Sequence, residues 1–347
     1  MTRLPSPSSD PAPVFELFRG SYATELLTAA VVEFDLFNLL ARQPRKIEEL
    51  QRDLQLAERP TVVLITALRA MQLLQLDDEG RLQPTSIATH HLLADSPWDV
   101  SGYVGLAGQS PGVQGMIERL KTNRPYGHEP LDEGTAFIFR AGSESAMERE
   151  ASARRLTLSL AGRARNVAPV LAERYPLGDA RQLLDIGGGS GLYAIACLQA
   201  NPKLRAVIWD RPEVLKVAHE LIHEHSVSNR ATLVEGDMFV DPVPEGCDVH
   251  LFSNILHDWD VPECRQLIGR SVAALPPGGR LLVHDVLLDD DLGGPLPLAL
   301  YSASLFTLTE GRAYSGLEYR TWLAEAGLSV EPPLPTLAHC SLIAARK

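Results

Sequence analysis

Four aspartates and one histidine of this chain share a position, each closing or directly following a short apolar run: Asp185, Asp210, Asp237, His257 and Asp285. The run Gln182–Ile186 (QLLDI) passes straight into Gly187-Gly188-Gly189-Ser190-Gly191 and then a helical stretch, LYAIACLQA. Strand, glycine turn and helix are the nucleotide-binding start of an open α/β sheet, and glycine lets backbone approach a ligand closely. The next run, Arg205–Trp209, ends in Asp210, where a carboxylate can accept hydrogen bonds from both ribose hydroxyls. Thr232–Glu235 leads into Gly236-Asp237-Met238-Phe239, and Cys247–Ser253 into Asn254-Ile255-Leu256-His257-Asp258-Trp259-Asp260. Pro276-Pro277-Gly278-Gly279 makes a turn before a fifth run, Gly279–Asp285. Ligands of such sheets bind beyond the carboxyl ends of the strands, so these five side chains converge on one site. An imidazole there, with an ordinary pKa near ~6.5, suits a general base.

Other groups have plainer readings. A nicotinamide site carries G-x-G-x-x-G, but Gly187 and Gly189 are followed by Leu192 at the third position, which weakens a dinucleotide. His284 falls inside the fifth strand and is expected to be structural. His219, His223 and His225 lie on a helix, and no carboxylate constellation elsewhere in the chain supports a metal there, so a solvated face is expected and no metal site.

These strands occupy the second half of 347 residues, a length for about two domains of 100–200 residues each. With 45% hydrophobic residues the chain is globular. A net charge of −12 argues against general binding to nucleic acid. Cys197, Cys247, Cys264 and Cys340 form no C-x-x-C pair, which suits a reducing cytoplasm. No apolar run reaches about 18 residues, so no membrane span is expected. The opening MTRLPSPSSDPAPV has one basic residue, four prolines and no apolar core; it is expected to be a loose tail and not a signal peptide.

From Val14 to Ala41, Leu26, Leu27, Ala30, Val31, Phe34 and Phe37 recur at helical steps. That helix is apolar over much of its circumference, as in a core or a subunit interface. Ile47–Leu54 and Pro60–Leu74 are predicted helices, and LLQLDDEGRLQPT a hairpin turning at Asp78-Glu79-Gly80. Helix, helix, hairpin is a winged-helix arrangement. Residues 45–84 hold six Lys/Arg against seven Asp/Glu, and the longer helix has only Arg69 as a basic residue in its interior. A helix that reads DNA needs phosphate and base-edge donors, so a nucleic-acid partner is not expected. Helical patches follow at Val100–Ala107 and Val113–Lys121, then the loop NRPYGHEPLDEG, where Tyr126, His128, Phe137 and Phe139 are candidate pocket residues. A long helix runs from Ser145 to Arg174, bent at Pro169.

The string D-x-G-G-G-S-G with G-D-M-F after the third strand resembles S-adenosylmethionine methyltransferases. L-H-D-W-D followed by P-P-G-G-R-L-L-V-H-D resembles, more narrowly, the O-methyltransferase family of the plant caffeate type, which includes many bacterial small-molecule enzymes. The resemblance implies an α/β fold, a Rossmann-like methyltransferase sheet with an N-terminal winged-helix dimerisation domain. It divides the chain into a tail (1–13), a dimerisation domain (14–105), a helical linker with pocket segment (106–165) and a cofactor-binding catalytic domain (166–347). Leu317–Leu328 matches the family's near-terminal helix.

The implied cofactor is S-adenosyl-L-methionine, released as S-adenosyl-L-homocysteine, and the implied partners are an aromatic small-molecule acceptor and a second copy of the chain. Gly187 and Gly189 would line the cofactor's amino-acid portion and Asp210 its ribose; Asp237 and Met238 would flank the adenine, and Phe239 and Ser253 complete the cofactor set. His257 would be the general base, oriented by Asp285 where the family usually has Glu. Two positions depart from the pattern. Ser253 replaces a frequent Lys, and the G-K-E-R-T-like string is Gly311-Arg312-Ala313-Tyr314-Ser315. Ala313 cannot orient an imidazole, which leaves catalysis to lean on Asp285 alone or on cofactor proximity. The leading expectation is O-methylation of an aromatic hydroxyl in the cytoplasm, as part of secondary metabolism. The alternatives are a relative that uses the bound cofactor for hydroxylation or decarboxylation, and a winged-helix ligand-binding regulator.

Overall fold

The computed structural model describes residues 3–125 and 150–347. Its N-terminal part comprises α1 (Ala12–Phe18), α2 (Ser21–Val32), α3 (Leu36–Arg42), α4 (Ile47–Leu54) and α5 (Glu58–Ala70). The hairpin β1 (Leu74–Leu76) and β2 (Leu82–Pro84) follows, then α6 (Ser86–His91), α7 (Ser101–Val104) and α8 (Pro111–Thr122). The continuous helix expected over Val14–Ala41 is thus three helices. Asp35 takes a left-handed φ of 44° between α2 and α3 and ends the run. The hairpin is closed by Asp77, whose Oδ1 accepts from the backbone of Glu79 and of Arg81, both at 2.9 Å.

The second part starts with α9 (Glu150–Arg174), which runs through Pro169. It continues as β3 (Gln182–Ile186), α10 (Leu192–Ala200), β4 (Arg205–Asp210), α11 (Pro212–Glu224), β5 (Ala231–Glu235) and β6 (Val249–Ser253). Then come α12 (Val261–Ala274), β7 (Arg280–Leu288), α13 (Leu296–Leu308), β8 (Tyr314–Ser315), α14 (Gly316–Glu325), β9 (Ser329–Val330), β10 (Leu334–Pro335) and β11 (Cys340–Arg346). The strands order as β10-β11-β7-β6-β3-β4-β5. β7, β6, β3, β4 and β5 are parallel, and β11 is antiparallel to β7. Strand order reverses between β3 and β6, which makes their carboxyl ends the switch point where ligands bind.

Three findings bear on the sequence reading, and the third corrects it. The apolar residues of α2 and α3 need no partner subunit: Leu26, Ala29, Ala30, Leu36, Phe37 and Leu40 lie in this chain's own core with α5 and α8. That core also takes in Ala299, Ala303 and the fully buried Phe306 of α13, so a helix from after β7 is packed into the N-terminal part. Burying one such side chain contributes about 1.5–3 kcal/mol. Second, α5 is buried from Arg59 to Leu68 and has no face to offer a DNA groove. Third, the opening segment is not a loose tail. Leu4 is buried against α9 and α10, and its amide donates to Gln199 Oε1 at 2.9 Å.

Candidate active site

The glycine loop after β3 is shaped by contacts that only glycine allows. Gly187 has φ 64°, and a Cβ there would meet Ile255 Cδ1 at 2.7 Å. The loop thereby lies against the segment that follows β6, and its backbone stays open to a ligand. Asp210, at the end of β4, accepts from Gly189 N–H at 2.8 Å and from its own neighbour Arg211 N–H at 2.7 Å. Burial pushes its carboxyl up to about 6, against those two donors. Asp185 sits beneath the loop, accepts from Ala194 N–H at 3.3 Å and is raised by burial to about 7. The turn backbone and the Asp210 carboxylate stand together at the ends of β3 and β4, and a carboxylate there has the chemistry to accept from the hydroxyls of a ribose.

The third acidic residue is positioned from the same side. Asp237 Oδ1 accepts from Phe239 N–H at 2.8 Å, and Oδ2 faces Arg211 Nη2 at 3.3 Å. Met238 packs at the edge of the core below it, and Phe239 stacks edge-on to Trp259 with centroids 4.7 Å apart. Phe239 is 8% exposed. Ser253 is placed differently from the expectation. Its hydroxyl pairs with His284 Nδ1 at 2.9 Å and accepts from Asn254 Nδ2 at 3.2 Å, so that side chain is held within the protein and not turned to a ligand. His284 is structural: its Nε2 meets Thr336 Oγ1 at 2.9 Å, and burial pushes it down to about 3.

His257 lies in a short 3-10 turn, Leu256–Asp258, beyond β6. Its Nδ1 is 2.5 Å from Asp285 Oδ1. An ionised carboxylate only accepts, so Nδ1 carries the proton and Nε2 is the basic atom. Asp285 is itself fixed by Val286 N–H at 2.8 Å and by the Tyr319 hydroxyl, which donates to Oδ2 at 3.0 Å. Burial alone would push the Asp285 carboxyl up, but His257 and these donors bring it below its ordinary value. Burial alone would likewise lower the imidazole, but Asp285 and then Asp258 raise it above its ordinary value. Asp258 Oδ1 is 3.7 Å from Nε2, too far for a hydrogen bond, and burial raises its carboxyl to about 7.

The expectation that Asp285 alone serves His257 is therefore corrected. Ala313 is buried with its N–H on Ser302 Oγ at 3.2 Å, and the support comes instead from Asp258 and from Tyr319 behind Asp285. The string around Ala313 keeps another task. A Cβ at Gly311 would overlap the carbonyl of His257 and come within 2.5 Å of Trp259 N, so this glycine lets the 309–311 turn press directly on the histidine's backbone. Arg59 of α5 clamps that turn, with Nη1 donating to Thr309 O at 2.9 Å and Gly311 O at 3.0 Å.

The structure adds groups that the sequence did not mark. Tyr301 of α13 stacks edge-on to His257 at 5.8 Å. Arg163 of α9 reaches Asn254 Oδ1 at 2.5 Å and Cys340 Sγ at 2.9 Å, and Asn254 Nδ2 donates to Tyr193 Oη at 3.1 Å. Nothing in the local pattern of α9 or α13 signals this, because the partners are far apart in the chain. Tyr126, His128, Phe137 and Phe139 lie outside the described residues. His219 and His223 are exposed on α11 as expected, whereas His225 follows the helix and is buried, so the solvated face is corrected for that residue.

Comparison with known proteins gives the family. Residues 127–329 match a family described as the O-methyltransferase domain. The chain is similar to the 3-hydroxy-5-methyl-1-naphthoate 3-O-methyltransferase of Streptomyces sahachiroi, with 34% identity over 92% of this chain and 90% of that one. It is similar to the tetracenomycin polyketide synthesis 8-O-methyl transferase of Streptomyces glaucescens, with 30% identity over 92% and 91%. Among solved structures it is similar to an O-methyltransferase family 2 protein from Planctomyces limnophilus in complex with apigenin, at 47% identity, full coverage of both chains (100%) and a TM-score of 0.89.

Proposed function

The chain belongs to the O-methyltransferase family and is an S-adenosylmethionine-dependent enzyme, and from that premise we propose that it methylates a hydroxyl of an aromatic small molecule with His257 as general base and Asp285 as the residue that orients it. The observation that carries this is the His257 Nδ1–Asp285 Oδ1 contact of 2.5 Å at the sheet's switch point, which leaves Nε2 as the basic atom. The named acceptors of the relatives, a hydroxynaphthoate and a polyketide, and the flavonoid in the solved neighbour support an aromatic hydroxyl in secondary metabolism.

Gly187, Gly189, Asp210, Asp237, Met238 and Phe239 would hold the cofactor. When bound, it supplies an activated sulfonium methyl group and leaves as S-adenosylhomocysteine. This chain's residues then have two tasks. One is alignment, which contributes up to about 7–11 kcal/mol in well-oriented reactions. The other is the proton. A phenol is mostly neutral at pH 7, with a pKa near ~10. His257 Nε2 takes the hydroxyl proton, and Asp285 and Asp258 stabilise the imidazolium that results. The retained histidine–carboxylate pair favours methyl transfer over hydroxylation or decarboxylation, and the buried α5 speaks against a DNA-binding regulator.

We also infer a cytoplasmic homodimer with no nucleic-acid or membrane partner. Its support is coarser: four free buried cysteines, no helix long and apolar enough to cross a membrane among the described residues, and exposed apolar side chains at Leu17, Phe18, Tyr103 and Leu106. Light scattering should then return twice 37.9 kDa, and a monomer at micromolar concentration would refute the dimer. The function itself is tested by incubating the protein with labelled S-adenosylmethionine and a panel of phenols. Label should appear on oxygen of an aromatic acceptor; label on no acceptor, or on carbon, would overturn the proposal.

A further inference from the structure

The turn that carries His257 is gripped from several elements. The Cys264 thiol of α12 donates to Leu256 O at 3.1 Å and to Trp259 O at 3.3 Å, and the Tyr314 hydroxyl donates to Trp259 O at 2.6 Å. Between these two points the His257 carbonyl lies against Gly311, so closely that a Cβ there would overlap it. The backbone of His257 must therefore follow wherever residues 309–311 are placed.

Arg59 of α5 ties those residues to the N-terminal part. It is 4% exposed. Its Nη1 donates to Thr309 O at 2.9 Å and Gly311 O at 3.0 Å, its Nε to Asn123 Oδ1 at 2.8 Å and its Nη2 to Asn123 O at 3.0 Å. Asn123 ends α8 with a left-handed φ of 56°. The Arg59 Cζ also stands 4.8 Å from the ring centroid of Phe306 on α13. The donors of a guanidinium point in fixed directions within one plane, so these four bonds hold the end of α8 and the turn after α13 in one arrangement. Burying a cation is costly, and an apolar side chain would fill the same space without that cost. What the guanidinium adds is the geometry of the joint.

We propose that Arg59 is a positioning residue for methyl transfer: through the 309–311 turn it sets where the His257 imidazole stands relative to the acceptor hydroxyl. This rests on the reading of His257 as the general base. Asp285 fixes the ring from β7, and Arg59 fixes the main chain that carries it. Proton removal thereby depends on how α5 and α8 are seated against the catalytic part. A misplacement of about 1 Å at reacting groups can cost about 10²-fold in rate. Loosening this joint should therefore slow the base-dependent step, while the glycine loop and Asp210, which Arg59 does not hold, keep the cofactor as before.

The test uses the full chain and two acceptors, 2-naphthol, which is neutral at pH 7, and 1-nitro-2-naphthol, which is largely ionised there and needs no base. If the wild type methylates another phenol of the panel faster, that phenol and its ortho-nitro derivative take their place. Each rate is expressed relative to the wild type with the same acceptor. Arg59→Met should lower kcat for the neutral phenol by at least about tenfold, within the range that misplacement allows, and leave kcat for the ionised one within about twofold. KM values and S-adenosylhomocysteine affinity by calorimetry should hardly move. Arg59→Lys keeps the charge and some of the carbonyl bonds, and should recover part of the loss. Should Arg59→Met fail to fold, Arg59→Lys carries the comparison together with Asn123→Gly, which keeps the left-handed turn and removes one acceptor; both should show the same selectivity at smaller size. Equal losses with the two acceptors, or none, would overturn the proposal, as would a raised KM or a weakened cofactor with kcat intact. His257→Ala is measured in parallel. If it is selective for the neutral phenol and the Arg59 variants are not, the positioning role alone falls; if it is not selective, the reading of His257 as base falls with it.

Discussion

The cofactor cradle and the histidine centre share one sheet edge but are built differently. The cradle is local and made largely of backbone: the glycine loop, Asp210 and the Asp237 turn fall within some fifty residues, and Asp210 is held by two main-chain N–H groups. The histidine centre is non-local and made of side chains. His257, Asp285, Tyr301 and Tyr319 come from four separate elements, Arg163 from α9, and Arg59 clamps the 309–311 turn from the N-terminal part. A backbone-built site survives most substitutions around it, because its donors belong to no side chain. A site assembled from distant side chains instead depends on each of them and on the packing that brings their elements together.

The largest effect that separates the two regions is expected at His257. His257→Ala should lower the methylation rate by about 10²–10⁴-fold, the usual contribution of a positioned base, with S-adenosylhomocysteine affinity nearly unchanged. The loss should shrink at high pH and with acidic phenols, which ionise without help. Full activity with an ordinary phenol at neutral pH would remove His257 from the role of base.

Asp210→Ala should do the converse. Loss of a charged hydrogen-bonding group costs about 1.5–3 kcal/mol, or roughly 10–150-fold in cofactor affinity. Because burial lifts Asp210 to about 6, its carboxylate is progressively protonated as pH falls through that value. Cofactor affinity should therefore decline below about pH 6 in the wild type, and Asp210→Asn should flatten that decline. Calorimetry at pH 7.5 and 5.5 checks both, and an affinity indifferent to pH and to the substitution would break the assignment.

What the sequence revealed follows the same division. β3 and α4 agree with their expected limits residue for residue, and the hairpin is where Asp78-Glu79-Gly80 placed it. Asp210 closes β4 and His257 follows β6 as expected, whereas Asp285 lies inside β7, which runs on to Leu288, and meets His257 from there; strand order in a parallel sheet brings such sequence-distant residues to one side. The misses are long-range. The apolar α2 and α3 left core and subunit interface both open, because nothing local showed that α13 returns to pack with them. Ser253 looked free to face a ligand because its partner, His284, sits on the neighbouring strand. Tyr319 was hidden inside α14, whose local sequence gives no sign of its bond to Asp285 on β7.

Within the histidine centre, Asp285→Asn should cost less than His257→Ala: about 1.5–3 kcal/mol for the charged hydrogen bond, or roughly 10–150-fold in rate. The pH profile carries the sign. Asp285 helps to raise His257 above its ordinary value, so the neutral, basic imidazole dominates only above that raised pKa. Removing the carboxylate's charge lowers the imidazole, and the acid limb of the rate profile should move to lower pH even as the plateau falls. A limb that stays in place would show that Asp285 acts on packing alone.

The smallest effect is expected at Tyr319, and it has the opposite sign. Its hydroxyl donates to Asp285 Oδ2 at 3.0 Å, while its ring is packed edge-on against Tyr314 at 5.7 Å and Trp322 at 5.4 Å. Tyr319→Phe keeps those ring contacts and removes one oxygen, so the elements should stay in place. The buried carboxylate loses a donor and becomes the stronger acceptor for His257 Nδ1–H, which raises the imidazole further. The acid limb should then shift to higher pH, against the direction expected for Asp285→Asn. A neutral-pH rate loss of about 2–12-fold corresponds to the roughly 0.5–1.5 kcal/mol of one ordinary hydrogen bond, and it should diminish above the new pKa, where the base is again neutral. If Tyr319→Phe lowers only the melting temperature and leaves the limb where it was, the hydroxyl serves the fold and Asp285 positions the histidine without it.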